Sequence, residues 1–155
     1  MYVQTLFIYL YSNMTKKDSK YCNCLYHSAN AFSRVMTKLA ESSFKSSGLA
    51  PSYAFLLMTI NEQPGMQPKD ISCQLQLTPS TVTRLIEKLE YQGYLERKSV
   101  GRATQVFPTE KAIALKPELK NGWQSLYKGY SKILGIDSSR ALTSHINEAL
   151  QALEE

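Results

Sequence analysis

The chain has 155 residues, 43% of them hydrophobic, with a net charge of +5 and a pI near 9.1. That suits one globular domain with its own core, and the basic balance admits a polyanionic partner. Three cysteines, an odd number, argue against a disulfide framework and for a reducing, cytoplasmic setting, and the apolar run Met1 to Tyr11 is too short to span a bilayer and lacks the positive leader of a signal peptide.

Met14, followed by Thr-Lys-Lys-Asp, is a more natural beginning than the run before it. Residues 1–20 therefore read as an N-terminal extension whose first thirteen residues need not be native. The first helix is expected over Tyr21 to Ser43, where Cys22, Leu25, Ala29, Phe32, Met36 and Leu39 alternate spacings of three and four. Gly48 and Pro51 punctuate the next turn. The nearly all-apolar run Tyr53 to Ile60 is expected as a helix central to the core, ended by Gln63-Pro64-Gly65. Pro68 opens a short third helix reaching Leu75, with Ile71 and Leu75 inward.

Two residues later, Thr78 and Pro79 supply the cap and the first position of a fourth helix. Val82, Leu85, Ile86 and Leu89 fall at i, i+3, i+4 and i+7, a stripe that must be buried, and Gly93 stops the helix. Tyr94 to Val106 reads as two short strands with Gly101 and Arg102 near their tip. Thr109 can cap a fifth helix, with Glu110 near its positive end, and Pro117 predicts a kink or a fresh start. An apolar stripe continues through Trp123, Leu126, Tyr130, Ile133 and Leu134. Asp137, Ser138 or Ser139 is expected to cap a sixth helix, buried through Leu142, Ile146, Leu150 and Leu153.

Short helix, tight connection, longer polar-faced helix and hairpin is the order of a winged helix-turn-helix. The fold class is thus mainly α with a small β wing. Residues 50–108 form the winged domain, and residues 21–49 with 109–155 form a helical dimerisation region. A monomer of this size has few internal partners for so many apolar stripes, so burial against a second copy is expected.

Opposite the stripe of the fourth helix stand Ser80, Thr81, Thr83, Arg84, Glu87 and Lys88. Short hydroxyls and long cations are the groups that contact base edges and phosphates. Arg84 is the leading candidate for a base, since its fork matches both acceptors of a guanine. Lys69 and Lys98 are candidate phosphate clamps. Charge alone supports this weakly: Lys69 to Arg102 holds six cations against four acids, and Met1 to Leu49 is more basic. The plain alternative is a solvated helix face in which Arg84 pairs Glu87.

The segment LTPSTVTRLIEKLEYQGYLER, Leu77 to Arg97, with Arg102 at the wing tip and PTEKA at Pro108 to Ala112, resembles bacterial regulators of the MarR family. The resemblance covers roughly Tyr21 to Glu155. It implies a triangular homodimer whose first, fifth and sixth helices form the dimerisation region. Two winged domains would grip a pseudo-palindromic operator in double-stranded DNA. Ser80, Thr81, Thr83, Arg84 and Lys88 would face the major groove, and Arg102 the minor groove or its phosphates. Val100 stands where the family often has an aspartate two positions before the wing arginine. Pro108 and Ala112 replace a usual leucine and glycine.

Such a regulator is expected to be a repressor released by a small-molecule effector, with Tyr26, Phe32, Tyr53 and Trp123 candidate pocket residues; aromatics at helical spacing are more often core. Some relatives sense peroxides through a cysteine near the start of the first helix, which makes Cys22 a candidate redox residue. Its place on the apolar seam favours packing instead. A second function class is a winged-helix interaction module that no longer binds DNA. The polar face from Ser80 to Lys88 argues against it, because docking faces expose apolar anchors. His27 and His145 lack ligand spacing and no catalytic arrangement is present, so neither a metal, a cofactor nor an enzyme activity is expected.

Overall fold

The computed structural model describes residues 20–101 and 103–154. The elements run α1 (Leu25–Ser43), a short 3-10 turn (Lys45–Ser47), α2 (Pro51–Glu62), α3 (Pro68–Leu75), α4 (Pro79–Tyr91), β1 (Leu95–Val100), β2 (Ala103–Pro108), α5 (Glu110–Ala114), α6 (Lys116–Leu134) and α7 (Ile136–Glu154). This is the mainly helical fold with a two-stranded wing that the sequence pattern implies. The expected extension, residues 1–20, lies outside the described residues except for Lys20.

Three boundaries differ from expectation. The first helix begins at Leu25 rather than Tyr21, so Cys22 sits in a turn ahead of it and is exposed, not packed on a seam. Helical spacing had placed it on a face that the chain does not form there. The second helix is longer than its apolar run, because Pro51 occupies its first turn, where a missing N–H costs nothing. The last helix is not opened by Asp137, Ser138 or Ser139. It starts at Ile136, immediately after Gly135, whose φ of +84° breaks α6 from α7.

The core is built around α2. Ala54, Leu56, Leu57 and Ile60 are fully buried, meeting Ile71 of α3, Val82, Ile86 and Leu89 of α4, Val106 of β2 and Leu119 of α6. Phe44, just past α1, is also fully buried and stacks edge-on against Phe55, which meets Trp123 the same way, with centroids 5.5 and 5.6 Å apart. Outside this core the stripes are open. In the single chain Leu25, Phe32, Ile133, Ile136, Leu142, Ile146, Leu150 and Leu153 are exposed. The stripe of α7, expected to be buried against a second copy, is open to solvent in the single chain, where α7 packs chiefly on α6.

Between α3 and α4 the chain turns on Gln76, with φ +52°, the one non-glycine residue among those described that adopts the left-handed region. The Gln76 N–H donates to Cys73 O and the Leu77 N–H to Ser72 O, closing the helix-turn-helix. Holding a glutamine there costs roughly 1 kcal/mol, a strain that tertiary packing has to offset. The wing is a regular antiparallel pair, Leu95 opposite Pro108 through Val100 opposite Ala103. A third edge joins it, unforeseen from sequence. Met66 bridges to Val106, with Gly65 N–H donating to Val106 O at 2.9 Å and Val106 N–H to Met66 O at 3.0 Å. Among the described residues no helix is long and apolar enough to cross a membrane.

Gly122 of α6 lies against Phe44: a Cβ placed there would meet Phe44 Cδ1 at 2.5 Å. Helix propensity alone makes Gly122→Ala stabilising by roughly 1 kcal/mol. Overpacking a fully buried ring costs about 1–3 kcal/mol and wins. Urea unfolding of Gly122→Ala is expected to show a lower midpoint with an unchanged slope.

Candidate nucleic-acid interface

The orientation of α4 is set by its apolar side. Val82, Leu85, Ile86 and Leu89 are all buried, so the opposite side has to face outward. Ser80, Thr81, Arg84, Glu87 and Lys88 are exposed. Among the described residues neither Arg84 nor Lys69 has an ion-pair partner, so the expected alternative in which Arg84 pairs Glu87 does not form. Lys69 stands exposed in the first turn of α3, on the other arm of the helix-turn-helix.

The start of α4 is held by Thr78. Its Oγ1 accepts from Thr81 N–H at 3.3 Å and lies within hydrogen-bonding distance of the Ser80 and Thr81 hydroxyls, at 3.1 and 2.8 Å. No carboxylate occupies the first turn. The positive end of the helix thus carries three hydroxyls and no internal carboxylate. Thr83 behaves differently. It is half-buried and its Oγ1 donates to Pro79 O at 2.9 Å, so it is turned toward its own helix.

The wing is tied to the far end of α4. Arg97 Nε donates to Glu90 Oε1 at 2.9 Å, and a second guanidinium nitrogen contacts Glu90 Oε2, a two-point bridge between β1 and α4. The Glu90 hydrogen bond holds the Arg97 guanidinium above its already high range. Lys98 pairs with Glu96 at 2.7 Å and lies 5.0 Å from the centre of the Phe107 ring, exposed on the wing. Arg102 lies outside the described residues; it follows Gly101, which sits beside the last strand pair, Val100 with Ala103.

Thr109 joins the end of α4 to the start of α5. Its Oγ1 donates to Gly93 O at 2.8 Å and accepts from Ala112 N–H at 3.4 Å, capping α5 as expected. Lys111 Nζ donates to Gln92 O at 2.8 Å and sits 4.2 Å from the centre of the Tyr94 ring, on the negative end of α4. Asn61 of α2, itself buried, donates through Nδ2 to Ala112 O at 3.2 Å.

A cleft of about 760 Å³ opens between α2 and α6, lined by Phe55, Met58, Asn61, Lys116, Lys120 and Trp123 among others. Of the expected pocket aromatics, only Trp123 borders it. Tyr26 and Phe32 are exposed on α1, and Tyr53 packs against the core. The Cys22 thiol donates to Asn23 Oδ1 at 3.7 Å, its carbonyl accepts from Ser28 Oγ at 3.2 Å, and Lys20 lies over the Tyr21 ring.

Three features escaped the sequence reading. The Glu90–Arg97 bridge was legible as opposite charges either side of the Gly93 turn. The Lys111 contact needed knowledge of how α5 folds back. Tyr91, 87% exposed at the end of α4, lies on the same side as Arg84 and Lys88 and stands out only once the stripe's direction is known.

An exposed hydroxyl-and-cation helix, preceded by a short helix and followed by a hairpin wing, defines a winged helix-turn-helix protein. Residues 49–99 match the MarR family. The regulator SarZ of Staphylococcus haemolyticus is 30% identical over 107 residues, covering 67% of this chain and 73% of SarZ. The chain belongs to the MarR family of transcriptional regulators. Two further curated relatives match over only 52% and 60% of their own lengths. In fold, the chain is similar to Escherichia coli MarR C80S complexed with operator DNA, with TM-score 0.75, 16% identity, and 86% and 99% of the two chains covered. It is also similar to the PcaV regulator of Streptomyces coelicolor in complex with its natural ligand, with TM-score 0.76, 17% identity, and 87% and 97% covered.

Thr78→Ala removes the cap of α4 while touching nothing buried. It is expected to cost about 1 kcal/mol, and Thr78→Gly only a few tenths. Thermal unfolding of the two variants side by side checks that order. Thr78→Ser, which keeps the hydroxyl, is expected to stay near wild type; if it loses as much as Thr78→Ala, the hydroxyl is not the source of the stability.

Proposed function

We propose that the protein is a homodimeric, sequence-specific double-stranded DNA-binding regulator that represses transcription in the cytoplasm and is released from a pseudo-palindromic operator by a small-molecule effector. The observation that carries this reading is the outward side of α4, where Ser80, Thr81, Arg84 and Lys88 stand exposed on a helix whose other side is locked into the core. A helix of this kind fits the major groove, whose base edges present distinct donor and acceptor patterns. Arg84, unpaired among the described residues, takes a base edge or phosphate. Lys69 from α3 and Lys98 from the wing clamp phosphates, and Arg102 reaches the minor groove. Thr83, engaged with its own helix, contributes least of the named residues.

Dimerisation through residues 21–49 and 109–155 is supported by the exposed apolar residues of α1, α6 and α7, which a single chain leaves open to water. Two symmetric copies place their α4 helices in successive major grooves about one helical turn apart. The cleft between α2 and α6 is the effector site in this reading. Phe55 and Trp123 offer an aromatic wall, and Lys116, Lys120 and Glu62 offer two cations and one carboxylate, a lining suited to a planar ligand with polar groups at its edge. An effector there acts by favouring the dimer whose helices are wrongly spaced for the operator. PcaV, of the same fold, is known in complex with its natural ligand.

The test is retention on bulk DNA at low salt, followed by selection of operator fragments from a random pool. Binding that falls steeply with salt is expected. Loss of retention even at low ionic strength would dismiss the DNA-binding reading. On a selected fragment, Arg84→Ala is expected to cost about 1–3 kcal/mol and to blur preference at one position. Lys69→Ala and Lys98→Ala should instead weaken all sequences alike and flatten the salt slope by about one ion each.

A further inference from the structure

We infer that Tyr91 is a further DNA contact, one that adds affinity at the wall of the major groove through its ring and hydroxyl and not through charge. The inference rests on the reading of α4 as the DNA-entering helix. At 100° per residue, Arg84, Lys88 and Tyr91 fall at i, i+4 and i+7, within one narrow outward strip directly opposite the buried stripe of Val82, Leu85, Ile86 and Leu89. Tyr91 is the most exposed large hydrophobic residue among those described, at 87%, and its hydroxyl has no hydrogen-bond partner among them.

An exposed aromatic is ordinary when it stands alone on a surface. This one does not. It is the only large apolar side chain on a strip otherwise made of hydroxyls and charges, and the Lys88 ammonium lies 5.7 Å from its ring centre. That spacing is within cation–π range, and it sets the ring beside a cation already placed to meet phosphate. Seven residues separate Tyr91 from Arg84, about 10 Å along the helix axis, comparable to the groove's width of about 12 Å. With Arg84 at the base edges, Tyr91 therefore arrives at the sugar-phosphate wall. A tyrosine suits that place: its apolar ring rests on deoxyribose or a thymine methyl, and its hydroxyl donates to a phosphate oxygen. Glu87, exposed one turn before Tyr91, repels phosphate, so attraction at this place has to come from the ring and hydroxyl of Tyr91 and from Arg84 and Lys88.

The experiment uses the full chain and a DNA fragment selected by the wild-type protein, with affinity measured across a salt series for Tyr91→Ala, Tyr91→Phe and Lys88→Ala. Tyr91→Ala is expected to weaken binding about three- to tenfold, the range of one lost hydrogen bond with its packing, and Tyr91→Phe to lose part of that. The salt slope should be unchanged in both, because no counterion is released by a neutral group, whereas Lys88→Ala flattens it by about one ion. Unfolding midpoints should match wild type, since the side chain is open to solvent. Wild-type affinity for Tyr91→Ala overturns the inference and leaves the DNA-binding reading standing. A flattened slope in Tyr91→Ala also overturns it, showing that the ring acts only by placing Lys88. Absence of wild-type binding to any DNA removes the reading on which the inference rests.

Discussion

The structure depends on the burial of one side of α4 against α2. Val82, Ile86 and Leu89 have essentially no contact with solvent, and each such side chain gains roughly 1.5–3 kcal/mol by leaving water. Turning the helix by even one residue would expose several of them at once. Its outward side is therefore fixed without any contact of its own. Among the described residues neither Arg84 nor Lys88 has an ion-pair partner, and neither needs one to be presented.

The same helix is secured at both ends by groups that are not apolar. Thr78 satisfies donors at its start, while Glu90, Gln92 and Gly93 at its end are held by Arg97, Lys111 and Thr109. These last three come from the wing and from α5, so strand, helix end and the following helix share one junction. Asn61 adds α2 to it through Ala112. Asn61 at the cleft and Gly93 at the end of α4 are thus three hydrogen bonds apart, by way of Ala112 and Thr109. The spacing of α2 and α6 is thereby tied to the end of α4 through groups whose geometry is strict.

The elements with strong local signals were legible in the chain. Pro68, the Thr78-Pro79 pair, Gly93 and Pro117 each announce a boundary by backbone chemistry, and each boundary lies within a residue or two of where it was expected. The buried stripe of α4 followed from spacing alone. The failures share a different cause. Apolar periodicity around Cys22 implied a helical face that the chain does not form there, because the helix starts only at Leu25. The Met66–Val106 bridge and the Gly122–Phe44 contact join residues 40 and 78 positions apart, and no local pattern encodes either. Tyr53, Tyr26 and Phe32 were chosen for their type, and the cleft is lined instead from the side of α2 that carries Phe55 and Met58.

Gly135 separates two long helices with a backbone geometry, φ +84° and ψ 151°, that is essentially closed to residues bearing a Cβ. Beyond it α7 extends as a rod of about 28 Å, so a bend of ten degrees at this joint swings the far end by about 5 Å. The direction of the whole terminal arm is thereby entrusted to one atom that is missing. In the homodimer proposed above, this elbow would set how the terminal arms meet, and with them how far apart the two α4 helices stand, while leaving the core untouched.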